Sequence, residues 1–237
     1  MFNFSSSNQT QLKRLQTKLE SAQSVFPRVI SKTLNNVSFK ARLEVNKEAS
    51  RVFLNPTHMI RNASYVKAAK ASEPYTVVHI KETPPKGGTN SPADVLLPHV
   101  EGGKRYVKGL EIGLRARQLL RRLSGQGIPR NTHFVPGAGA ELNRFGNMTP
   151  AKVKHILKET RKPGGKFFMF IPDGAKYPLV MHQRSKKADP EIALVGVATP
   201  NYKKRFAFYE VVEKSFARHY ADELEKQLEA SLPESDP

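Results

Sequence analysis

The last forty or so residues constrain the fold of this chain more than any other stretch. Phe208, Val211, Val212, Phe216, Tyr220, Leu224 and Leu228 recur at spacings of three and four, the period that returns side chains to one face of an α-helix. Such a helix gains most of its stability in water by burying its apolar stripe, so the rest of the chain must offer a surface that receives it. The residues leading in, Tyr202, Lys203, Lys204, Arg205, Phe206, Phe208 and Tyr209, alternate aromatic and basic character. An extended lead-in that feeds a terminal helix is a device for docking, and it points to assembly before catalysis.

Charge sharpens this reading. Lys and Arg number 39 against 21 acids, a net +18 over 237 residues. A charge that far from neutrality selects acidic proteins, nucleic acid or an anionic surface as partners. The distribution is uneven: from Phe206 onward, Lys214, Arg218 and Lys226 stand against eight acids, a net −5, so residues 1–205 carry +23. A basic body with an acidic end can pair head to tail with copies of itself. Cysteine is absent, which removes disulfides, thiolate nucleophiles and cysteine-ligated zinc and leaves the redox compartment open. The opening Met1-Phe2-Asn3-Phe4 has no charged segment followed by an apolar core, and no run of eighteen apolar residues occurs. The expectation is a protein made in the cytoplasm, with no membrane partner.

Periodicity predicts a helical region over 10–52, read as two successive helices parted at Pro27, since an interior proline removes a hydrogen bond and crowds the preceding turn. Segments 63–69 and 75–81 alternate as strands. Residues 82–94 hold Pro84, Pro85, Gly87, Gly88 and Pro92 and predict a long loop. A basic amphipathic helix is predicted within 104–123, carrying Arg115, Arg117, Arg121 and Arg122, followed by a Gly/Pro loop spanning 133–144. Thr149 and Pro150 make an N-cap and first-turn pair for a helix running to about Thr160. Strands over 166–171, 177–183 and 192–198, the first two joined by the Pro172-Asp173-Gly174 turn, predict an antiparallel meander. The fold class expected is α+β in a single domain over residues 1–237: an antiparallel sandwich- or barrel-like sheet, N-terminal helices and the long C-terminal helix.

No catalytic pattern emerges. The seven histidines show no metal-ligand spacing. Gly137 and Gly139 lack the third glycine of a dinucleotide loop, because Leu142 stands in its place. Gly102-Gly103-Lys104 and Gly164-Gly165-Lys166 lack both the upstream glycine and the following hydroxyl of a phosphate loop. Glu101, Glu111, Glu141, Glu159 and Asp173 are isolated in sequence. Ser124 and Ser185 stand beside no nucleophile elbow. No metal and no cofactor are expected, and the chain reads as a non-enzyme. Arg115 to Arg122, Arg184 to Lys187 and Lys203 to Arg205 supply charge that phosphates attract, yet no helix-turn-helix, zinc-finger or ribonucleoprotein signature accompanies them. Non-specific contact with nucleic acid therefore stays open beside a solvated basic face.

Three stretches carry a resemblance when taken in order: Val100-Glu101-Gly102-Gly103-Lys104-Arg105, the run FVPGAGAELNRFGNM at 134–148, and Tyr202 to Tyr209 with its trailing helix. The chain resembles the minor tail proteins of tailed bacteriophages, of the tail-completion or head–tail neck type, and the likeness covers most of its length. The resemblance implies a structural virion protein without catalytic residues, joining or completing neck and tail through a homo-oligomeric ring with an α+β core. Its partners would be other neck or tail proteins, on the portal side or the tube side, with non-specific contact to the genome. Tyr202 to Phe208 would anchor the last helix to the sheet, and the loops 82–94 and 134–147 would reach neighbouring subunits and order on assembly. The alternative is a non-specific nucleic-acid-binding accessory protein of packaging or recombination.

Overall fold

The computed structural model describes residues 6–86, 88, 90–116 and 131–231. In chain order its elements are α1 (Ser6–Val52), α2 (His58–Arg61), β1 (Ser64–Lys67), β2 (Val77–Ile80), α3 (Pro92–Val100), β3 (Gly103–Lys104), α4 (Gly109–Ala116), β4 (His133–Pro136), α5 (Pro150–Glu159), β5 (Phe167–Phe170), β6 (Leu179–His182), β7 (Glu191–Val197), β8 (Asn201–Tyr202) and α6 (Phe208–Glu229). The fold is α+β and every strand pair is antiparallel. The contacts gather into two compact units. One holds the described residues up to Glu48, Ser64–Ile80 and those from Ala207 onward; the other holds Ala49–Ala63 and Lys81–Phe206.

α1, which belongs to the first unit as far as Glu48, is one continuous helix of 47 residues, about 70 Å long at 1.5 Å per residue. The break expected at Pro27 does not occur. Ser31 Oγ donates to the Pro27 carbonyl at 2.7 Å, and a buried face of Val29, Val37, Ala41, Val45 and Ala49 carries the helix onward, so packing outweighs the local cost of proline. Asn35 clamps the end of the β1–β2 pair, its Oδ1 accepting from the Ala69 amide at 2.7 Å and its Nδ2 donating to the Ala69 carbonyl at 3.0 Å. Against α1 lies α6, present as its periodicity predicts. Glu223 accepts from Asn36 at 2.6 Å and Lys40 at 2.9 Å, whereas Glu44 meets His219 at 3.3 Å and Arg218 at 3.4 Å. Partner numbers fall on α6 as they rise on α1, so the two helices run antiparallel.

The second unit is built on a four-stranded sheet of order β4-β7-β6-β5, in which β5, β6 and β7 form the meander that the turn residues predict. Among the described residues this sheet is open, with β4 and β5 at its edges, and forms neither a sandwich nor a barrel. Helices close its core instead: Leu114 of α4 and Ile156 of α5 join Phe134, Phe167, Val180, Ala193 and Leu194 in one buried cluster. A Cβ on Gly113 would stand 2.8 Å from Leu157 Cδ1, which explains a glycine inside α4 where α5 approaches. Thr149 caps α5 as expected, accepting from the Lys152 amide at 3.2 Å.

Two loop expectations are corrected. Residues 82–94 do not all form a loop, because Ser91 and Asp94 build a reciprocal capping box, at 3.1 and 2.7 Å, that starts α3 at Pro92. Proline at the first helical position reads as loop composition, yet its missing N–H has no intrahelical role there. The other loop begins as strand β4. Beyond it, Gly137 and Gly139 donate to the carbonyls of Ala193 and Ile192 at 3.0 and 2.9 Å and lie against β7. A Cβ on Gly139 would come within 2.6 Å of Glu191 Cβ, and one on Gly137 within 2.7 Å of Ile192 Cγ2. The Gly-Ala-Gly run is thus a close backbone crossing rather than a free turn. Asn143 then organises a tight turn of its own, its Oδ1 accepting from the amides of Phe145 and Asn147.

Candidate functional site

Parts of the three stretches that carry the resemblance, far apart in sequence, converge in the second unit: the first stretch, the start of the second and Tyr202–Phe206 of the third. β3 of the first pairs with β8 of the third, Gly103 opposite Tyr202 and Lys104 opposite Asn201. Gly102 and Gly103 both have positive φ, +80° and +107°, a conformation that side chains resist, so this pair of glycines turns the chain from α3 into β3. The Arg105 amide continues the ladder onto the Pro200 carbonyl at 2.9 Å.

Arg105 then links to the second stretch. Its guanidinium pairs with Glu111 and lies 3.0 Å from His133 Nδ1. Glu111, 1% exposed, accepts from the Lys108 amide at 2.7 Å and from the Phe134 amide at 2.9 Å. Burial alone would raise the pKa of this carboxyl, but the Phe134 and Lys108 amides and the Arg105 guanidinium together hold it below the usual carboxylate range. Spacing explains the first of these bonds: Glu111 sits three residues after Lys108, where a carboxylate reaches back to cap the start of α4. In sequence Glu111 stands apart from other acids, and its partner Phe134 becomes a neighbour only when β4 folds beside α4.

The third stretch is fastened by an aromatic cluster. His99, at the end of α3, stacks obliquely on Tyr202 with centroids 4.4 Å apart and meets the edge of Phe53 at 5.1 Å. Phe206 packs against Phe53 at 5.8 Å, and the Arg205 guanidinium lies 4.8 Å from the Phe53 ring centre. The amides of Arg205 and Phe206 both donate to the His99 carbonyl, at 2.9 and 3.0 Å, and Arg205 Nε donates to His99 Nδ1 at 3.2 Å. A ring nitrogen that accepts this bond must be unprotonated. Burial and then the Arg205 charge lower the His99 pKa to about 4.

The residues singled out from the sequence divide accordingly. Tyr202, Arg205 and Phe206 belong to the aromatic cluster, so the lead-in is held by α3, β3 and Phe53 rather than by the four-stranded sheet. Lys203 and Lys204 are exposed beside it. Phe208 is buried at the start of α6, and Tyr209, 58% exposed, meets its edge at 5.4 Å. Of the basic set, Arg115 falls within α4, and Arg117, Arg121 and Arg122 lie outside the described residues. His99 and Phe53 carry no sequence signal, because a lone histidine and a phenylalanine after a helix are ordinary core residues.

Among the described residues, no three His, Asp or Glu side chains stand together in a way that could hold a metal ion, and no helix is long and apolar enough to cross a membrane. No protein-family model, curated protein or solved structure matches this chain.

Proposed function

We propose that this chain is a structural virion protein of a tailed bacteriophage, which joins or completes the neck and tail by ring-like self-assembly and performs no catalysis. It is made in the host cytoplasm and resides in the particle. The observation that carries this reading is the convergence of the three resembling stretches on one connected node: Gly103 opposite Tyr202, Arg105 on Glu111, and Glu111 on the Phe134 amide. Sequences that match a family only in separate short runs gain weight when those runs prove to support one another. The charge pattern agrees, since a basic body and an acidic final helix favour contacts between copies and with neck or tail neighbours.

Gold-labelled electron microscopy of particles, with antibody raised against the purified protein, tests the reading. Label at the head–tail junction is the expected result. Unlabelled particles from a lysate that contains the protein would overturn it and favour the nucleic-acid-binding alternative, for which retention on DNA should fall steeply with salt.

A further inference from the structure

At one end of the four-stranded sheet the chain gathers cations that its own acids do not neutralise. The Lys166 carbonyl accepts from the Gln183 amide at 2.8 Å, and His182 stands opposite Phe167 on one side and Glu191 on the other. The start of β5, the end of β6 and the start of β7 therefore meet there. α5 is joined to the same end: the Lys166 amide donates to Glu159 Oε2 at 3.2 Å, and Lys152 Nζ lies 5.2 Å from the centre of the Phe167 ring.

Three of the cations in this region are answered one by one, Lys152 by Glu141 at 2.9 Å, Lys162 by Glu159 at 2.8 Å and Arg184 by Glu191 at 3.0 Å. Lys154, Lys158, Arg161, Lys166, Lys186 and Lys187 are exposed, and their side chains make no ion pair among the described residues. Asp189 is the acid left beside them, since Asp173 lies at the far end of β5, in the turn to β6. Lys154 and Lys158 stand about one turn apart on α5, and Arg161, whose amide donates to the Lys158 carbonyl at 3.3 Å, follows in the turn after it.

What this surface lacks selects its partner. The centre of a protein interface is apolar and aromatic, and lysine is depleted there. Residues 150–166 and 183–190 leave no large apolar side chain exposed, and what they present is mainly lysine. Single-stranded nucleic acid is held by aromatic rings on which bases stack, and these two segments contain no Phe, Tyr or Trp. The backbone of a duplex asks only for point charges, because it carries a phosphate charge for about every 1.7 Å of its axis, and such contacts hold the duplex without reading bases.

We infer that Lys154, Lys158 and Arg161, with Lys166, Lys186 and Lys187, form a docking surface for the phosphate backbone of double-stranded DNA, bound without regard to sequence. The surface adds α5 to the basic segments legible in the sequence, and it stands apart from the neck reading, which rests on other residues.

The test uses the full-length chain and a short DNA duplex of mixed sequence, with binding followed by fluorescence anisotropy as NaCl rises from about 50 to 200 mM. The logarithm of affinity should fall linearly with the logarithm of salt. The combined change Lys154→Gln, Lys158→Gln and Arg161→Gln should make that slope shallower by about 2–3, close to one for each phosphate contact removed. An equal loss of charge in the first unit, Lys32→Gln, Lys47→Gln and Lys70→Gln, should leave the slope unchanged. These side chains are all exposed, so both variants should keep the circular dichroism of the wild type. Four outcomes overturn the inference: the same change of slope in both variants, which indicates attraction to net charge alone; no binding of the duplex at about 50 mM salt; tighter binding of a single strand of the same length; or tighter binding of polyglutamate, which marks a surface for acidic protein. Gold label at the neck without duplex binding would remove this inference and leave the functional reading. Duplex binding through α5 with unlabelled particles would do the reverse.

Discussion

Arg105 and Glu111 form an ion pair with both side chains withdrawn from solvent, 9% and 1% exposed. Glu111 also accepts the amides of Lys108 and Phe134, so one carboxylate ties the start of α4 to the start of β4. Removing one partner of such a pair leaves a buried charge without compensation, at a cost of about 3–5 kcal/mol. Glu111→Gln should therefore lower the urea midpoint strongly. The double change Arg105→Met with Glu111→Leu should recover much of the loss, because no stranded charge remains. A single substitution that leaves the midpoint unchanged would refute the structural role given to this pair.

His99 should make stability depend on mildly acidic pH. Its folded pKa, about 4, lies below the value of about 6.5 for an unfolded chain. The unfolded chain binds the proton first, so the contribution is fully present above pH 6.5 and is lost as pH falls from there to about 4. The shift corresponds to at most about 3 kcal/mol. His182, whose pKa burial also lowers, acts with the same sign, so the informative quantity is the difference between the wild type and His99→Phe across that range. Parallel curves for the two proteins would show that the ring at position 99 is not held neutral.

Glu223 should behave as the polar hub of the helix pair. The Lys40 hydrogen bond, then that of Asn36, pull its pKa down to about 2 against the opposing effect of burial. Its stabilisation is present above about pH 4.5 and is lost as pH falls toward 2. Glu223→Ala is expected to cost about 2 kcal/mol at neutral pH. Lys40→Met should cost less than about 1 kcal/mol, since the Lys40 side chain is 45% exposed and solvent screens its charge. Thermal unfolding followed by circular dichroism ranks the two, and the reverse order would refute the assignment.

Gly137 and Gly139 are fixed by the crossing over β7 rather than by any ligand. Gly137→Ala and Gly139→Ala force a Cβ against the backbone or side chain of Ile192 and Glu191, and each should destabilise by about 1–3 kcal/mol. Hydrogen exchange should quicken at the amides of residues 137 and 139, which now bond to β7. Unchanged stability and unchanged exchange together would mean that the crossing is loose.

The elements read correctly from the sequence are those whose signal is local. The stripe from Phe208 to Leu228 made α6 legible, Thr149-Pro150 marked the start of α5, and Pro172-Asp173-Gly174 marked the turn between β5 and β6, because caps, turns and periodicity act over a few residues. At Pro27 and at 91–94 the same local rules misled. Proline reports a local preference, which burial of α1 overrides in one place and which suits a first helical turn in the other.

By itself, then, the sequence determined the α+β class, the antiparallel meander, the terminal amphipathic helix and the separation of basic from acidic charge. Tertiary structure alone decided the division into two units, the open sheet, and the node where Arg105, Glu111 and Phe134 meet beside the pairing of Gly103 with Tyr202. Apart from the pairing of Arg105 with Glu111, those features rest on contacts between residues tens of positions apart, and the free energy of such contacts comes from burial and from hydrogen bonds that form only once the intervening chain has folded.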